Sequence, residues 1–113
     1  MRIGCHVSIR GGYLAAAVRA AGLGCGAFQY FPKNPRSLGV KAFDREDARR
    51  CAAYCRERGI VSVAHAPYPA NLAEERPDAR GRVIASILND LEIAEACGSV
   101  GVVVHFGVYK GAD

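Results

Sequence analysis

The chain alternates between two patterns of apolar and polar positions. Short apolar runs rich in β-branched residues cover residues 2–8, 25–31, 60–64 and 100–104. Runs of this length without polar alternation are typical of strands buried on both faces. Longer segments with helical spacing separate them, so the pattern predicts the order βαβαβαβ. Strands separated by helices pair in parallel through right-handed crossovers.

Capping residues mark the ends of the three predicted helices. The first covers residues 13–21 and ends before Gly22. Asp44 is a good N-cap for a second helix that runs to about Arg58. Pro77 suits the first turn of a third helix, which ends near Gly98. The apolar positions of these helices are Leu14, Val18 and Ala21, then Ala48, Cys51, Ala52 and Cys55, then Val83, Ile84, Ile87, Leu88, Leu91 and Ala94.

Length and composition place the 113 residues in one domain of the α/β class. The chain stops soon after the fourth strand, so we expect a partial domain over residues 1–113, truncated before the helix that would cover that strand. The uncovered strand would expose Val102 and Val104 on at least one face, and open sheet edges favour self-association. No apolar run approaches the ~20 residues of a membrane span, and no signal peptide is evident, which predicts a cytoplasmic protein without membrane contact.

Charge and cysteine content narrow the functional classes. Residues 1–43 hold six Lys or Arg and no Asp or Glu, whereas all eleven acids lie in residues 44–113. Lys33, Asn34, Arg36 and Lys41 share one predicted loop, which favours a basic surface that faces a polyanion. Chance distribution is the alternative. The five cysteines are odd in number and include no C-x-x-C pair, which predicts reduced thiols rather than a disulfide framework.

Two histidines provide the main candidate chemistry. His65 and His105 each follow a predicted strand, and parallel sheets build their sites at the carboxyl ends of their strands. Neutral imidazoles there can bind a metal or transfer protons, although a hydrogen-bonded structural role is the alternative. A catalytic zinc needs three or more protein ligands, and no Asp or Glu follows a strand in this chain.

Short motifs in a fixed order resemble the N-terminal half of the endonuclease IV family, the zinc-dependent apurinic/apyrimidinic endonucleases of base-excision DNA repair. The matching segments are GCHVS at 4–8, GG at 11–12, FPKNPR at 31–36, HAPY at 65–68, NL at 71–72 and VHFG at 104–107. Pro32, Pro35 and the Ala66-Pro67 pair depart from the family pattern and would stiffen the two loops that contain them.

The resemblance implies a TIM barrel and DNA cleavage 5′ to abasic sites by a zinc cluster. His65 and His105 match two ligands of one zinc, and His6 matches a histidine near the site that is not a ligand. Arg36 and Tyr68 match side chains that enter the DNA at the lesion, and we assign Lys33 and Asn34 of the same basic loop to DNA binding. The family's remaining ligands would fall beyond Asp113, so we expect the 113-residue chain alone to be inactive.

Two other functions stay open at this stage. Sugar-phosphate isomerases and epimerases with a xylose-isomerase-like barrel also carry histidines at this edge, although they need no basic loop. The chain could also be a non-catalytic module that binds nucleic acid weakly, which the missing ligands favour.

Overall fold

The computed structural model describes residues 1–107 and contains four parallel strands that alternate with three helices. The strands are β1 (Gly4–His6), β2 (Ala27–Tyr30), β3 (Val61–His65) and β4 (Val102–Val103), and the helices are α1 (Tyr13–Gly22), α2 (Arg45–Arg58) and α3 (Pro77–Ala96). The sheet order is β1-β2-β3-β4, so sequential strands are neighbours. The predicted element order and parallel pairing are confirmed. Residues 108–113, the end of the predicted domain, lie outside the described residues.

The strands are shorter than predicted, but their backbone hydrogen bonds continue past their ends. Within the ladder, Gly4 pairs with Ala27 and Ala64 with Val102. The amide of Val7 donates to the carbonyl of Gln29 at 2.9 Å, beyond the end of β1. The loops after the strands therefore start from fixed backbone positions.

The ends of α2 are formed as the sequence predicts. The Asp44 carboxylate accepts hydrogen bonds from the amides of Glu46 and Asp47, both at 3.0 Å. Gly59 ends the helix in the left-handed conformation, with φ 66°.

A side chain from α2 caps α1, which the sequence did not predict. Oδ2 of Asp47 accepts from the Tyr13 amide at 2.6 Å and Oδ1 from the Leu14 amide at 3.3 Å. Gly12 makes this approach possible, since its φ is 116° and a Cβ there would lie 2.6 Å from Oδ2 of Asp47. The two helices are thereby joined at the start of α1.

The buried faces of α1 and α3 differ from the predicted apolar positions. In α1, Tyr13 and three alanines are buried, while Val18 is 47% exposed. In α3, Val83 and Ala94 are buried as expected, but Ser86, Asn89 and Asp90 are buried too. Three of the predicted positions are exposed instead: Ile84, Leu88 and Leu91. The apolar pattern alone misplaced the face of α3 because its buried side carries polar groups.

The last strand is better covered than expected. Val102 and Val104 are half-buried and pack against a small cluster around Val83 of α3. Val100 and Val103 remain exposed.

All five cysteines are free thiols, and the sulfurs of Cys5 and Cys25 lie 2.9 Å apart. No helix in residues 1–107 combines the length and the hydrophobicity that crossing a bilayer requires.

Candidate metal and nucleic-acid site

The loops after β2, β3 and β4 meet at the carboxyl edge of the sheet. The loops after β3 and β4 line an open cleft of about 450 Å³. The cleft is lined by His65, Ala66, Pro67, Tyr68, Pro69, Ala70, Asn71, His105, Phe106 and Gly107. The predicted zinc ligands and the predicted lesion-contacting tyrosine thus share one cavity.

The imidazoles of His65 and His105 converge within this cleft. Their Nε2 atoms lie 3.0 Å apart, and their ring centroids are 5.0 Å apart. Nδ1 of His65 lies 2.6 Å from the Ala66 carbonyl oxygen, which can only accept, so Nδ1 carries the proton and donates. The lone pair on Nε2 of His65 is therefore directed at His105.

This arrangement fits a shared zinc ion. Two nitrogens bound tetrahedrally to one zinc at ~2.0–2.1 Å lie about 3.3 Å apart, close to the observed separation. A backbone carbonyl that fixes the tautomer of His65 is also what zinc-binding histidines normally have. Within residues 1–107, however, no group of three or more His, Cys, Asp or Glu side chains forms. The described residues therefore offer two histidines that could bind a zinc ion, fewer than the three protein ligands of a catalytic site.

Phe31 joins the histidines and the tyrosine into one aromatic cluster. Its ring centroid lies 4.9 Å from that of His6, 5.1 Å from that of His65 and 5.3 Å from that of Tyr68. The sequence analysis placed Phe31 in the motif at 31–36 but gave it no role, although its position directly after β2 is the signal that could have found it. The Phe31 and His65 rings meet in a T-shaped arrangement, with 63° between their planes.

His6 belongs to the edge of this cluster and has a partner of its own. Its Nδ1 lies 3.0 Å from Nε2 of Gln29, which donates to it. Burial lowers the pKa of the His6 imidazole, and repulsion from His65 lowers it further. His6 thus lies outside the converging pair, and its place near the site without metal ligation stays a prediction.

The loop after β2 brings Asn34 and Arg36 to the surface beside Tyr68. All three residues are exposed, and Tyr68 retains 67% of its accessible surface. Oδ1 of Asn34 accepts from the Arg36 amide at 2.9 Å, which closes a tight turn. The Tyr68 amide donates to the Pro35 carbonyl at 2.8 Å and ties the loops after β2 and β3 together.

Lys33 is not placed where the sequence suggested. Only 3% of its side chain is exposed, and its ammonium lies 3.1 Å from Oδ1 of Asp90. It also donates to the Ser86 carbonyl at 2.7 Å and to Oδ1 of Asn89 at 3.1 Å. An ammonium enclosed by acceptors from α3 is unavailable to a phosphate in this structure, so the assignment of Lys33 as a DNA contact is corrected. The acidic partner lies far along the chain, which is why the loop sequence alone looked solvent-facing.

Gly107 explains how closely the loops after β3 and β4 approach. Its φ is 83°, and a Cβ at this position would clash with the side-chain oxygen of Asn71 and the backbone nitrogen of Leu72. Asn71 and Gly107 both line the cleft, so this close approach forms part of its wall.

Comparisons with known proteins agree with this architecture. The sequence model of the family described as "Xylose isomerase-like TIM barrel" matches residues 17–113. The chain is 48% identical to probable endonuclease 4 of Symbiobacterium thermophilum over 98% of its own length, and 32% identical to that of Cenarchaeum symbiosum over 99%. The crystal structure of endonuclease IV from Thermus thermophilus superimposes with a TM-score of 0.86, at 36% identity over 95% of the chain.

The matches cover nearly all of this chain but less than half of each related protein. The chain spans 40%, 41% and 40% of the lengths of these three proteins, respectively. The matches include the segments that carry the converging histidines and the loop after β2. The chain therefore belongs to the xylose isomerase-like TIM barrel family, and the resemblance to endonuclease IV that its motifs indicate is confirmed.

Proposed function

We propose that the chain is part of a zinc-dependent DNA repair endonuclease that cleaves the phosphodiester 5′ to abasic sites. The observation that carries this proposal is the convergence of His65 and His105, with Nε2 atoms 3.0 Å apart, in a cleft that the exposed Tyr68 also lines. The exposed Arg36 lies on the neighbouring loop, whose Pro35 carbonyl accepts from the Tyr68 amide. The relatives named endonuclease 4 support DNA as the substrate class. A sugar isomerase has no use for an exposed arginine on the loop beside an exposed Tyr68.

His65 and His105 would hold one zinc, together with ligands that residues 1–107 do not provide. Bound zinc would activate water and stabilise the leaving oxygen of a phosphodiester. The chain's own contribution is orientation. The Ala66 carbonyl keeps Nε2 of His65 free to bind metal, and Phe31 packs against the ring.

Arg36, Asn34 and Tyr68 would contact the DNA. A guanidinium on an exposed loop can neutralise phosphates or enter a groove, and an aromatic ring can stack where a base is missing. Asn34 contributes by closing the turn that presents Arg36, and its exposed amide remains near the same surface. We place the protein in the cytoplasm, where such a substrate is accessible.

Cleavage by the full-length protein tests this function. We expect the zinc-loaded protein to cut a duplex with one abasic site on its 5′ side and to leave the intact duplex whole. His65→Ala and His105→Ala should each abolish cutting and lower zinc content. His6→Gln is the matched control, because it changes a histidine of the same cluster outside the converging pair. An uncut abasic duplex together with turnover of a ketose would make the protein an isomerase.

The 113-residue chain by itself should not cleave. Two histidines leave zinc without a complete set of protein ligands, so any bound metal would take water in their place. Purified chain should therefore show no cleavage above a chelated blank. Robust cleavage that EDTA abolishes, and that His105→Ala removes so that a contaminating nuclease is excluded, would contradict this expectation.

A further inference from the structure

One face of α3 holds the ammonium of Lys33 out of solvent. The Ser86 carbonyl, Oδ1 of Asn89 and Oδ1 of Asp90 surround it at 2.7 Å, 3.1 Å and 3.1 Å. The contact with Asp90 is an ion pair without an aligned hydrogen bond, because neither carboxylate oxygen receives one within the described residues. Burial raises the pKa of the Asp90 carboxyl, and the Lys33 ammonium partly offsets that rise.

Asn89 also holds the far end of the same segment. Its Oδ1 accepts from the Lys41 amide at 2.9 Å, and its Nδ2 donates to the Lys41 carbonyl at 3.0 Å. The segment from residue 33 to residue 41 is thus fixed at both ends by neighbouring side chains of one helix. The surface between these ends carries Asn34 and Arg36.

A fixed segment of this kind limits where Arg36 can go. Asn34 closes the turn before it, and the Pro35 carbonyl is bound to the Tyr68 amide. Holding a long side chain near one geometry before binding reduces the entropy lost when it engages a ligand. The buried cluster therefore limits the positions that Arg36 can take on the surface beside Tyr68.

We propose that Lys33, through Asn89 and Asp90, is a positioning residue that presents Arg36 to nucleic acid and does not itself touch a phosphate. This inference rests on the proposed function for its ligand, but the anchoring of residues 33–41 is a property of the free protein. Proteolysis of the free protein tests the anchoring, and DNA binding tests the presentation of Arg36.

Trypsin cleavage after Arg36 measures the anchoring. The test variant is Lys33→Met with Asp90→Leu, which removes both charges and leaves no unpaired buried ion. Its control is Glu46→Gln with Arg49→Met, which removes an exposed ion pair on α2. We expect cleavage after Arg36 to be roughly tenfold faster in the test variant than in the control. The reason is that a segment released at one end opens more often and becomes accessible to trypsin.

Cleavage after Arg19, within α1, reports global unfolding and should be equal in the two double variants. Should the test variant fail to fold, Asn89→Ala replaces it, since it removes the bonds to Lys33 and Lys41 and leaves both charges paired. Unchanged cleavage after Arg36 in a folded variant would overturn the anchoring.

A double-mutant cycle on DNA binding separates positioning from direct contact. If Lys33 acts through Arg36, substituting Lys33 should not change abasic-duplex affinity further in a protein that already carries Arg36→Ala. In that background the salt dependence should also be unchanged, whereas removal of a direct phosphate contact would reduce its slope by about 0.9. Additive losses, or a reduced slope, would overturn the positioning role. If the unmodified full-length protein binds no DNA, the proposed function fails, and the trypsin rates alone decide the anchoring.

Discussion

Tyr68 is the residue on which discrimination of a lesion should depend most. Its ring is exposed, and its contacts with Phe31 and His65 hold it at the edge of the cleft. Stacking of an aromatic ring at a vacant base position is worth about 1–3 kcal/mol. In the full-length protein, Tyr68→Ala should therefore weaken abasic-duplex binding roughly fivefold to a hundredfold and intact-duplex binding much less. Equilibrium titration of both duplexes measures this, with Tyr68→Phe as the control that keeps the ring.

Arg36 should act on DNA binding in a different way. Its side chain is exposed and would meet the backbone, so Arg36→Ala should weaken binding to abasic and intact duplexes alike. The slope of affinity against salt should fall by about 0.9 because one phosphate is no longer neutralised, and Arg36→Lys should restore it. An unchanged salt slope in Arg36→Ala would contradict the phosphate contact, and equal losses on intact and abasic DNA in Tyr68→Ala would contradict the lesion-reading role of Tyr68.

Residues at the ends of strands could be located from the sequence, whereas the long-range contacts of the neighbouring side chains could not. His65 ends β3, and Tyr68 and His105 lie within three residues of the ends of β3 and β4, so the edge they share is set by chain direction. Lys33 was misassigned because its partner Asp90 lies on α3, and no local pattern reports a long-range ion pair. Their roles in metal and DNA binding stay predictions.

At the scale of elements, the cap that α2 provides for α1 gives a measurable stability effect. Asp47→Ala would remove two hydrogen bonds to the first turn of α1 and a carboxylate at the positive end of that helix. We expect the free energy of unfolding in urea to fall by about 1–2 kcal/mol. Glu57→Ala, on an exposed part of the same helix, is the control and should change it little. A loss as small as the control's would mean that the cap is dispensable.

The conformation of the loop after β4 should depend on the glycine at position 107. Gly107→Ala would place a methyl group against Asn71 and the backbone of Leu72 at a φ that disfavours a side chain. We expect the loop to move away from the loop after β3 and to separate His105 from His65. Zinc affinity of the full-length protein should fall at least tenfold, while Gly81→Ala, in open space on α3, should leave it unchanged. Equal zinc affinity in both variants would contradict this account of the cleft.

Helix boundaries followed from the sequence more closely than helix faces did. Asp44 and Gly59 are local signals, and the structure places the ends of α2 at them. Asn89 and Asp90 on the inner face of α3 are side-chain partners of Lys33, whereas Ser86 contributes only its backbone carbonyl. Polar residues therefore occupy part of the buried face of α3, while Ile84, Leu88 and Leu91 are exposed. The apolar spacing along the helix does not indicate this arrangement.

At the scale of the whole molecule, the sheet has open edges and an apolar helix face. Within the described residues, β1 pairs only with β2 and β4 only with β3. Ile84, Leu88 and Leu91 are 52%, 60% and 46% exposed and lie at helical spacing along α3. Val100 and Val103 add exposed apolar surface beside β4. Unpaired strand edges and contiguous apolar patches both favour association with another chain.

We therefore predict that the 113-residue chain, produced alone, self-associates. The charged substitutions Ile84→Lys and Leu88→Lys together should reduce association if the α3 face drives it, because a buried ammonium is costly. Arg80→Lys, at an exposed position of the same helix, is the control and should not change it. Light scattering across tens of micromolar (roughly the range in which weak self-association appears) measures the effect. Association that the lysine variant retains would locate the contact at the strand edges, and a stable monomer of the unmodified chain would contradict the prediction.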